Sequence, residues 1–200
     1  LYGLKAGIVG SMVDRLVGDP RNREVQGVGS GRYAPEWFQD LRGRREVAFL
    51  VPRTRSIAAS IDMQAEKGGR ILVVELVPTG PGDPLLGAET RLPEGLGQVV
   101  LSDSAARKLG VAAGERLDGS LARTFQGKTE RVHLPLTVTA VARPAAFPRD
   151  GGFVPIELMV AIEDFRDGRS VEALGWEGDA PDEGPRSFPG FRLYARDVYG

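Results

Sequence analysis

The sequence contains no cysteine, and this absence excludes several kinds of chemistry at once. A chain without thiols forms no disulfide, has no thiolate nucleophile and offers no cysteine ligand to zinc. Histidine is almost as scarce, because His133 is the only one among 200 residues. A metal site built from several histidines of this chain is therefore excluded.

The chain also lacks the usual features of membrane spans and nucleic-acid binding. No stretch reaches the roughly 18–20 apolar residues of a membrane-spanning helix, and the chain does not open on a signal-peptide pattern. The 26 basic and 27 acidic residues give a formal net charge of −1, and this balance gives no electrostatic reason to expect nucleic acid or an anionic membrane as a partner. Because the first residue is Leu1 and not methionine, we expect a piece of a longer protein.

A strand, a capped helix, a glycine turn and a second strand follow one another within Gly97–Leu117. Ser102 is placed to cap the helix at its N-terminus, and Gly110 is placed to end it in the left-handed conformation. Antiparallel hairpins are predicted on either side, over Arg55–Val77 and Glu115–Ala142. With 42% hydrophobic residues, these elements have enough apolar surface for a core.

Apolar spacing predicts helices over Leu4–Val17, from Pro35, and over Ile156–Arg166. A buried strand is predicted over Val47–Val51, ended by Pro52, and an alternating strand over Thr54–Met63. A mobile acidic loop is predicted over Glu177–Pro189 and a last strand over Phe191–Ala195. Strands mixed with helices and hairpins indicate an α+β fold with mixed sheets and antiparallel hairpins. No internal repeat is visible in the sequence.

Few residues are candidates for chemistry. The glycines of Gly27–Gly31 suggest a phosphate-binding loop, but Arg32 occupies the position where the dinucleotide pattern needs glycine, so a plain turn is favoured. His133 lies on the polar face of a strand and is interpreted as a surface residue. Helix capping explains Ser102 and Ser104 better than nucleophilic catalysis does.

Charged clusters are interpreted in the same way. Carboxylates gather at the end of the last predicted helix and in the loop after it: Glu163, Asp164 and Asp167, then Asp179, Asp182 and Glu183. The first group is interpreted as a solvated face and the second as an acidic linker. Four arginines flank turns and strands, and we expect ion pairs for them: Arg21, Arg23, Arg53 and Arg55. We therefore assign no catalytic, cofactor-binding or metal-ligating residue and predict that the chain is not an enzyme.

Six segments in a fixed order carry a resemblance to a known family: Asp19–Glu24, Tyr33–Phe38, Val47–Arg55, Val99–Leu117, Phe153–Gly168 and Phe191–Asp197. Together they resemble the extracytoplasmic core domain of an ABC-transporter permease of the MacB/FtsX/LolC–LolE type. The resemblance spans Leu4 to Asp197. Its central pattern, VVLS…A..LGV..G..L, also occurs in the double-psi barrels of molybdopterin enzymes.

The resemblance implies a domain of two lobes, one inserted in the other, between two transmembrane helices on the periplasmic side of the bacterial inner membrane. The first lobe would comprise residues 1–95 and 150–200, with helix 4–17 extending a transmembrane helix, and the inserted lobe residues 96–149. Implied partners are a cytoplasmic ATPase subunit, a second permease copy and a periplasmic adaptor or lipoprotein. No catalytic residue or cofactor is implied, because another subunit hydrolyses ATP.

Two other hypotheses stay open at this point. One is a fragment of a soluble pterin oxidoreductase, which predicts a barrel around Gly97–Ala142. The other is a free-standing periplasmic binding module, which would need a cleavable signal peptide and no second membrane span.

Overall fold

The computed structural model describes residues 19–25, 31–56 and 59–196. Three α-helices lie in these ranges: α1 (Pro35–Arg42), α2 (Asp103–Leu109) and α3 (Ile156–Arg166). Nine strands accompany them: β1 (Glu24–Val25), β2 (Val47–Arg53), β3 (Ser60–Ala65), β4 (Leu72–Thr79), β5 (Gln98–Leu101), β6 (Arg116–Phe125), β7 (Lys128–Val141), β8 (Gly151–Pro155) and β9 (Gly190–Ala195). Two short 3₁₀ helices cover Pro20–Arg23 and Glu172–Leu174.

Six strands close into a barrel in the order β3-β4-β8-β5-β7-β6. The hairpins β3–β4 and β6–β7 are antiparallel, whereas β4 pairs with β8 and β5 pairs with β7 in parallel. Antiparallel pairs of β3 with β6 and of β5 with β8 complete the ring. Alternate side chains fill its interior, including Ile61, Met63 and Val138, all at most 2% exposed.

The barrel repeats one arrangement twice. A hairpin, a strand and a helix (β3, β4, β5, α2) are followed by a second hairpin, strand and helix (β6, β7, β8, α3). Exchanging the two sets leaves the order of strands around the ring unchanged. The repeat lies in the topology alone, since the sequence shows no matching period.

The remaining strands form a separate antiparallel sheet in the order β1-β9-β2. On one face of this sheet, Phe38 of α1 packs with Leu50 and Leu193 in a cluster rich in aromatic side chains. On the other face, Phe49 and Tyr194 share a buried cluster with barrel residues. The sheet therefore lies between α1 and the barrel.

The predicted fold class, α+β with mixed sheets and antiparallel hairpins, is confirmed. The helices predicted from Pro35 and over Ile156–Arg166 are present, as is the strand–helix–strand unit of Gly97–Leu117. Gly110 adopts the left-handed conformation with φ +67°. The predicted helix Leu4–Val17 lies outside the described residues, and no described helix is long and apolar enough to cross a membrane.

Two predicted strand boundaries are wrong. β2 continues through Pro52 to Arg53, paired with β9, and it tolerates proline because it is an edge strand with a neighbour on one side only. The strand predicted from Thr54 begins at Ser60. The backbone N–H of Arg55 donates instead to Glu163 Oε1 of α3 at 3.0 Å, which draws this segment away from strand pairing.

The division into lobes at residues 96 and 149 stays a prediction. The barrel takes β3, β4 and β8 from the first predicted range and β5, β6 and β7 from the second. Both predicted ranges thus contribute to a single closed sheet.

Candidate functional site

The first and last strands of the described fold are direct neighbours. β1 pairs with β9 so that Glu24 faces Tyr194 and Val25 faces Leu193. Arg23 Nη1 donates to the carbonyl of Arg196 at 3.2 Å. Segments about 170 residues apart in the chain are thereby held side by side at one edge of the sheet.

The turn that leads into β1 is fixed by its own residues. Asp19 caps the 3₁₀ helix by accepting the backbone N–H of Arg21 at 3.0 Å. The Arg21 guanidinium donates to both oxygens of the same carboxylate, at 2.6 to 3.1 Å. These bonds lower the pKa of Asp19 below its ordinary value, chiefly through the side chain of Arg21. The local pattern Asp-Pro-Arg therefore fixes the direction of entry into the sheet.

A buried ion pair connects the sheet to the barrel. Arg192 of β9 donates through Nη1 to Asp83 Oδ2 at 2.7 Å and through Nη2 to Asp83 Oδ1 at 3.1 Å. The side chains are 2% and 0% exposed. Arg192 Nη1 also donates to the carbonyl of Pro78 at 2.5 Å, so β9 is bonded both to the end of β4 and to the loop that follows it.

The surroundings of this pair satisfy both charges. Asp83 accepts further hydrogen bonds from Thr79 Oγ1 at 2.8 Å and from the backbone N–H of Leu85 at 3.0 Å. The guanidinium lies 5.3 Å from the ring centre of Phe49. Burial lowers the pKa of Arg192, but the hydrogen bonds and charge of Asp83 outweigh that effect, and the net shift is upward. The Arg192 guanidinium therefore stays protonated.

A second ionic network surrounds α3. Glu163 is only 7% exposed; its Oε1 accepts from Arg55 Nε at 2.9 Å and its Oε2 accepts from Arg186 Nη1 at 2.7 Å. Arg55 also donates to Asp167 at 2.5 Å; hydrogen bonds to Asp167 and then Glu163 raise its pKa. The interpretation of this helix end as a solvated face is therefore wrong for Glu163, whose carboxylate is buried by cations from other segments.

The acidic loop after α3 has little regular secondary structure, but ion pairs attach it to neighbouring segments. Asp182 pairs with Arg169, and Arg186 pairs with Asp164. Asp179 and Glu183 are exposed. The mobility predicted for Glu177–Pro189 stays a prediction.

The other candidate residues have ordinary structural contacts. Ser102 Oγ accepts the backbone N–H of Ala105 at 3.2 Å, which confirms its role as a cap. Ser104 Oγ donates to Asp150 at 2.6 Å. The exposed His133 lies 2.8 Å from Asp118 on the neighbouring strand, a partner that only the register of the hairpin reveals. Among the described residues, no group of three histidines, cysteines or carboxylates is arranged to hold a metal ion.

The four arginines divide into two locations. Arg21 pairs with Asp19, and Arg23 bonds to a backbone carbonyl at the β1–β9 edge. Arg55 pairs with Glu163 and Asp167, as expected for an ion-paired arginine. Arg53 lies at the end of β2 and makes no side-chain ion pair with any described residue, so the ion pair expected for Arg53 is wrong. In the glycine-rich stretch, only Gly31 is among the described residues.

Comparison of the sequence with models of known protein families and with curated proteins found no match. A function for this chain therefore has to be inferred from its residues and from the geometry of the junction between sheet and barrel.

Sequence reasoning missed the two buried arginines that organise this geometry. Arg192 stands in the apolar strand FRLYA, where a charged residue at an inward position is a signal of a buried partner, but Asp83 is 109 positions away. Arg123 is 6% exposed and donates to the carbonyls of Phe165, Arg169 and Glu177. It thereby holds the segment after α3 against the β6–β7 hairpin.

Proposed function

We propose that this chain is a non-catalytic periplasmic domain of an ABC-transporter permease. In this role it couples ATP hydrolysis in the cytoplasm to the handling of a substrate or partner outside the membrane, of the export or lipoprotein-release type. The single observation that carries the proposal is the antiparallel pairing of β1 with β9.

A domain inserted between two membrane helices needs its two connections close together. In this chain the segments on either side of the fold converge on adjacent strands of one small sheet. A displacement of either connection would therefore act first on that sheet, through β1 or through β9.

The sheet is in turn bonded to the barrel by a stiff contact. Arg192 of β9 reaches Asp83 and the carbonyl of Pro78 in a site with almost no exposed side-chain surface. Close-packed interiors transmit displacement instead of absorbing it. We infer that motion applied to β9 is passed to β4 and hence to the barrel.

The partners follow from the same proposal. They are a cytoplasmic ATPase subunit, a second permease copy in a dimer, and a periplasmic adaptor or lipoprotein. The location is the periplasmic side of the bacterial inner membrane.

The pterin-oxidoreductase hypothesis is also favoured by one observation. It predicts a barrel around Gly97–Ala142, and β5, β6 and β7 do belong to a closed barrel. The permease proposal makes no prediction of a barrel, so the behaviour of the parent protein has to distinguish the two.

Fractionation of native cells tests the proposal directly. An antibody raised against this chain should detect a parent polypeptide well above 21.5 kDa that stays in the membrane after an alkaline wash. A parent released as soluble protein would overturn the permease proposal; its size would then separate an oxidoreductase from a small binding module.

A further inference from the structure

An open cleft of about 650 Å³ lies where the end of β2 meets the barrel. Its walls are strand ends and connecting segments of the sheet and of the barrel together with α3, and its lining includes Arg53, Thr54, Arg55, Glu75, Arg149 and Gly190. Three arginines and one glutamate line this space, in a chain whose formal net charge is −1.

The three arginines differ in the ion-pair partners of their side chains. Arg55 is held by Glu163 and Asp167. Arg149 shares the single carboxylate of the cleft, with Nη2 3.2 Å from Glu75 Oε2, and its side chain is 68% exposed. Arg53 is half-buried, and its side chain has no ion-pair or hydrogen-bond partner among the described residues. A partly buried guanidinium with unused donors favours an anion beside it.

The wall also supplies hydroxyl groups and open space. Thr54 is 6% exposed, and its Oγ1 has no hydrogen-bond partner among the described residues. A buried hydroxyl usually bonds to protein, water or ligand, and Thr54 borders this cleft. Gly190 stands opposite Arg53 in the β2–β9 register and presents no side chain there. Ser56 and Ser60 add further hydroxyls to the lining.

We propose that this cleft binds a phosphate group, either free or carried by a larger molecule, with Arg53 as the principal contact. A guanidinium fork matches two phosphate oxygens, and hydroxyl donors suit the remaining ones. Arg53 is the last residue of β2 and Arg149 lies shortly before β8, so the cleft that the phosphate occupies is bordered by both the sheet and the barrel. This inference is independent of the proposed permease function.

The test is a titration of the 200-residue chain with inorganic phosphate, followed by amide NMR at constant ionic strength. We expect saturable chemical-shift changes at residues 53–56, 59–60 and 190. In Arg53→Gln the affinity for phosphate should fall by about tenfold or more, because a hydrogen bond to a charged group is lost. Arg149→Gln, whose exposed side chain leaves the core intact, should weaken binding by a smaller factor. Both affinities are measured on variants whose amide spectra without phosphate match that of the unmodified chain away from the substituted residue.

Arg107→Gln is the matched control, because Arg107 is an exposed arginine on α2, paired with Asp103 and outside the cleft lining; it should bind phosphate as the unmodified chain does. Tighter binding of glycerol 3-phosphate than of inorganic phosphate would support a phosphate on a larger molecule, and equal binding would support free phosphate. The proposal is overturned by linear, non-saturating shifts, by equal loss in Arg107→Gln, or by acetate binding as tightly as phosphate.

Discussion

Removing either partner of the Arg192–Asp83 pair should destabilise the fold strongly, and removing Asp83 should destabilise it more than removing Arg192. Removing one partner of a buried ion pair costs about 3–5 kcal/mol. In Arg192→Met, Asp83 keeps its bonds from Thr79 and from the backbone of Leu85, so we expect a loss of about 3 kcal/mol, the lower end of that range.

Asp83→Ala should cost more. It leaves a buried guanidinium with the Pro78 carbonyl at 2.5 Å and a long contact to the Tyr194 hydroxyl at 3.5 Å, without any counter-charge. We expect a loss of about 5 kcal/mol. For a chain of this length each 1 kcal/mol lowers Tm by about 2–4 °C, so Arg192→Met should lose about 6–12 °C.

Urea titration and calorimetry of the 200-residue chain measure both effects. The double variant Arg192→Met with Asp83→Leu should cost less than Asp83→Ala alone, because no unpaired charge is then buried. Arg107→Gln, which removes an exposed pair, should leave Tm unchanged. A loss below about 1 kcal/mol for Arg192→Met, typical of a surface pair, or a double variant that costs as much as Asp83→Ala or more, would refute the reasoning.

The Arg192→Met variant also tests whether the Arg192–Asp83 pair sets the position of the sheet on the barrel. Because the chain has no cysteine, spin labels can be attached at Glu36→Cys on α1 and Arg116→Cys on β6, both exposed. The distance distribution should broaden in Arg192→Met and stay narrow in Arg107→Gln. An unchanged, narrow distribution in Arg192→Met would count against transmission through this pair.

Three further predictions concern other parts of the fold. The pKa of Asp150 is lowered by hydrogen bonds from Lys108 and then Ser104; its contribution to stability is complete above the ordinary value of 3.8 and lost as the pH falls through the lower folded pKa. Lys108→Gln should therefore flatten the acid limb of a stability–pH curve. Gly119→Ala should lower Tm by several degrees, because a Cβ there would lie 2.8 Å from Ile61 Cδ1 inside the barrel and overpacking costs about 1–3 kcal/mol. Arg123→Met should expose amides after α3 to hydrogen exchange, because three carbonyl contacts are lost.

Each of these has an outcome that contradicts it. An acid limb in Lys108→Gln that matches the unmodified chain would show that Asp150 is not held by this bond. Unchanged Tm in Gly119→Ala would mean that the barrel interior has room for a methyl group. For Arg123→Met, protection that is lost equally in β5 would indicate global unfolding and not local release of the segment after α3.

The sequence determined the local elements of this protein. Ser102 caps α2, Gly110 ends it, and the chain turns back into β6 as predicted, because a cap or a turn depends on residues within four or five positions. The hairpins and α3 were predictable for the same reason, since alternation and helical spacing are readable within one element. The prediction that no catalytic set is present depended on composition and on the spacing of the candidate residues.

Tertiary structure alone decided how these elements combine. The parallel pairing of β4 with β8 and the closing pairs of the barrel join strands far apart in the chain, and no local pattern encodes which strands meet. Arg192 is 109 positions from Asp83, and Arg55 is 108 positions from Glu163. An ionisable side chain is interpreted as solvated until a counter-charge from another segment is placed beside it; that placement depends on the closed fold, which is why Glu163 is buried and the sheet is ionically joined to the barrel.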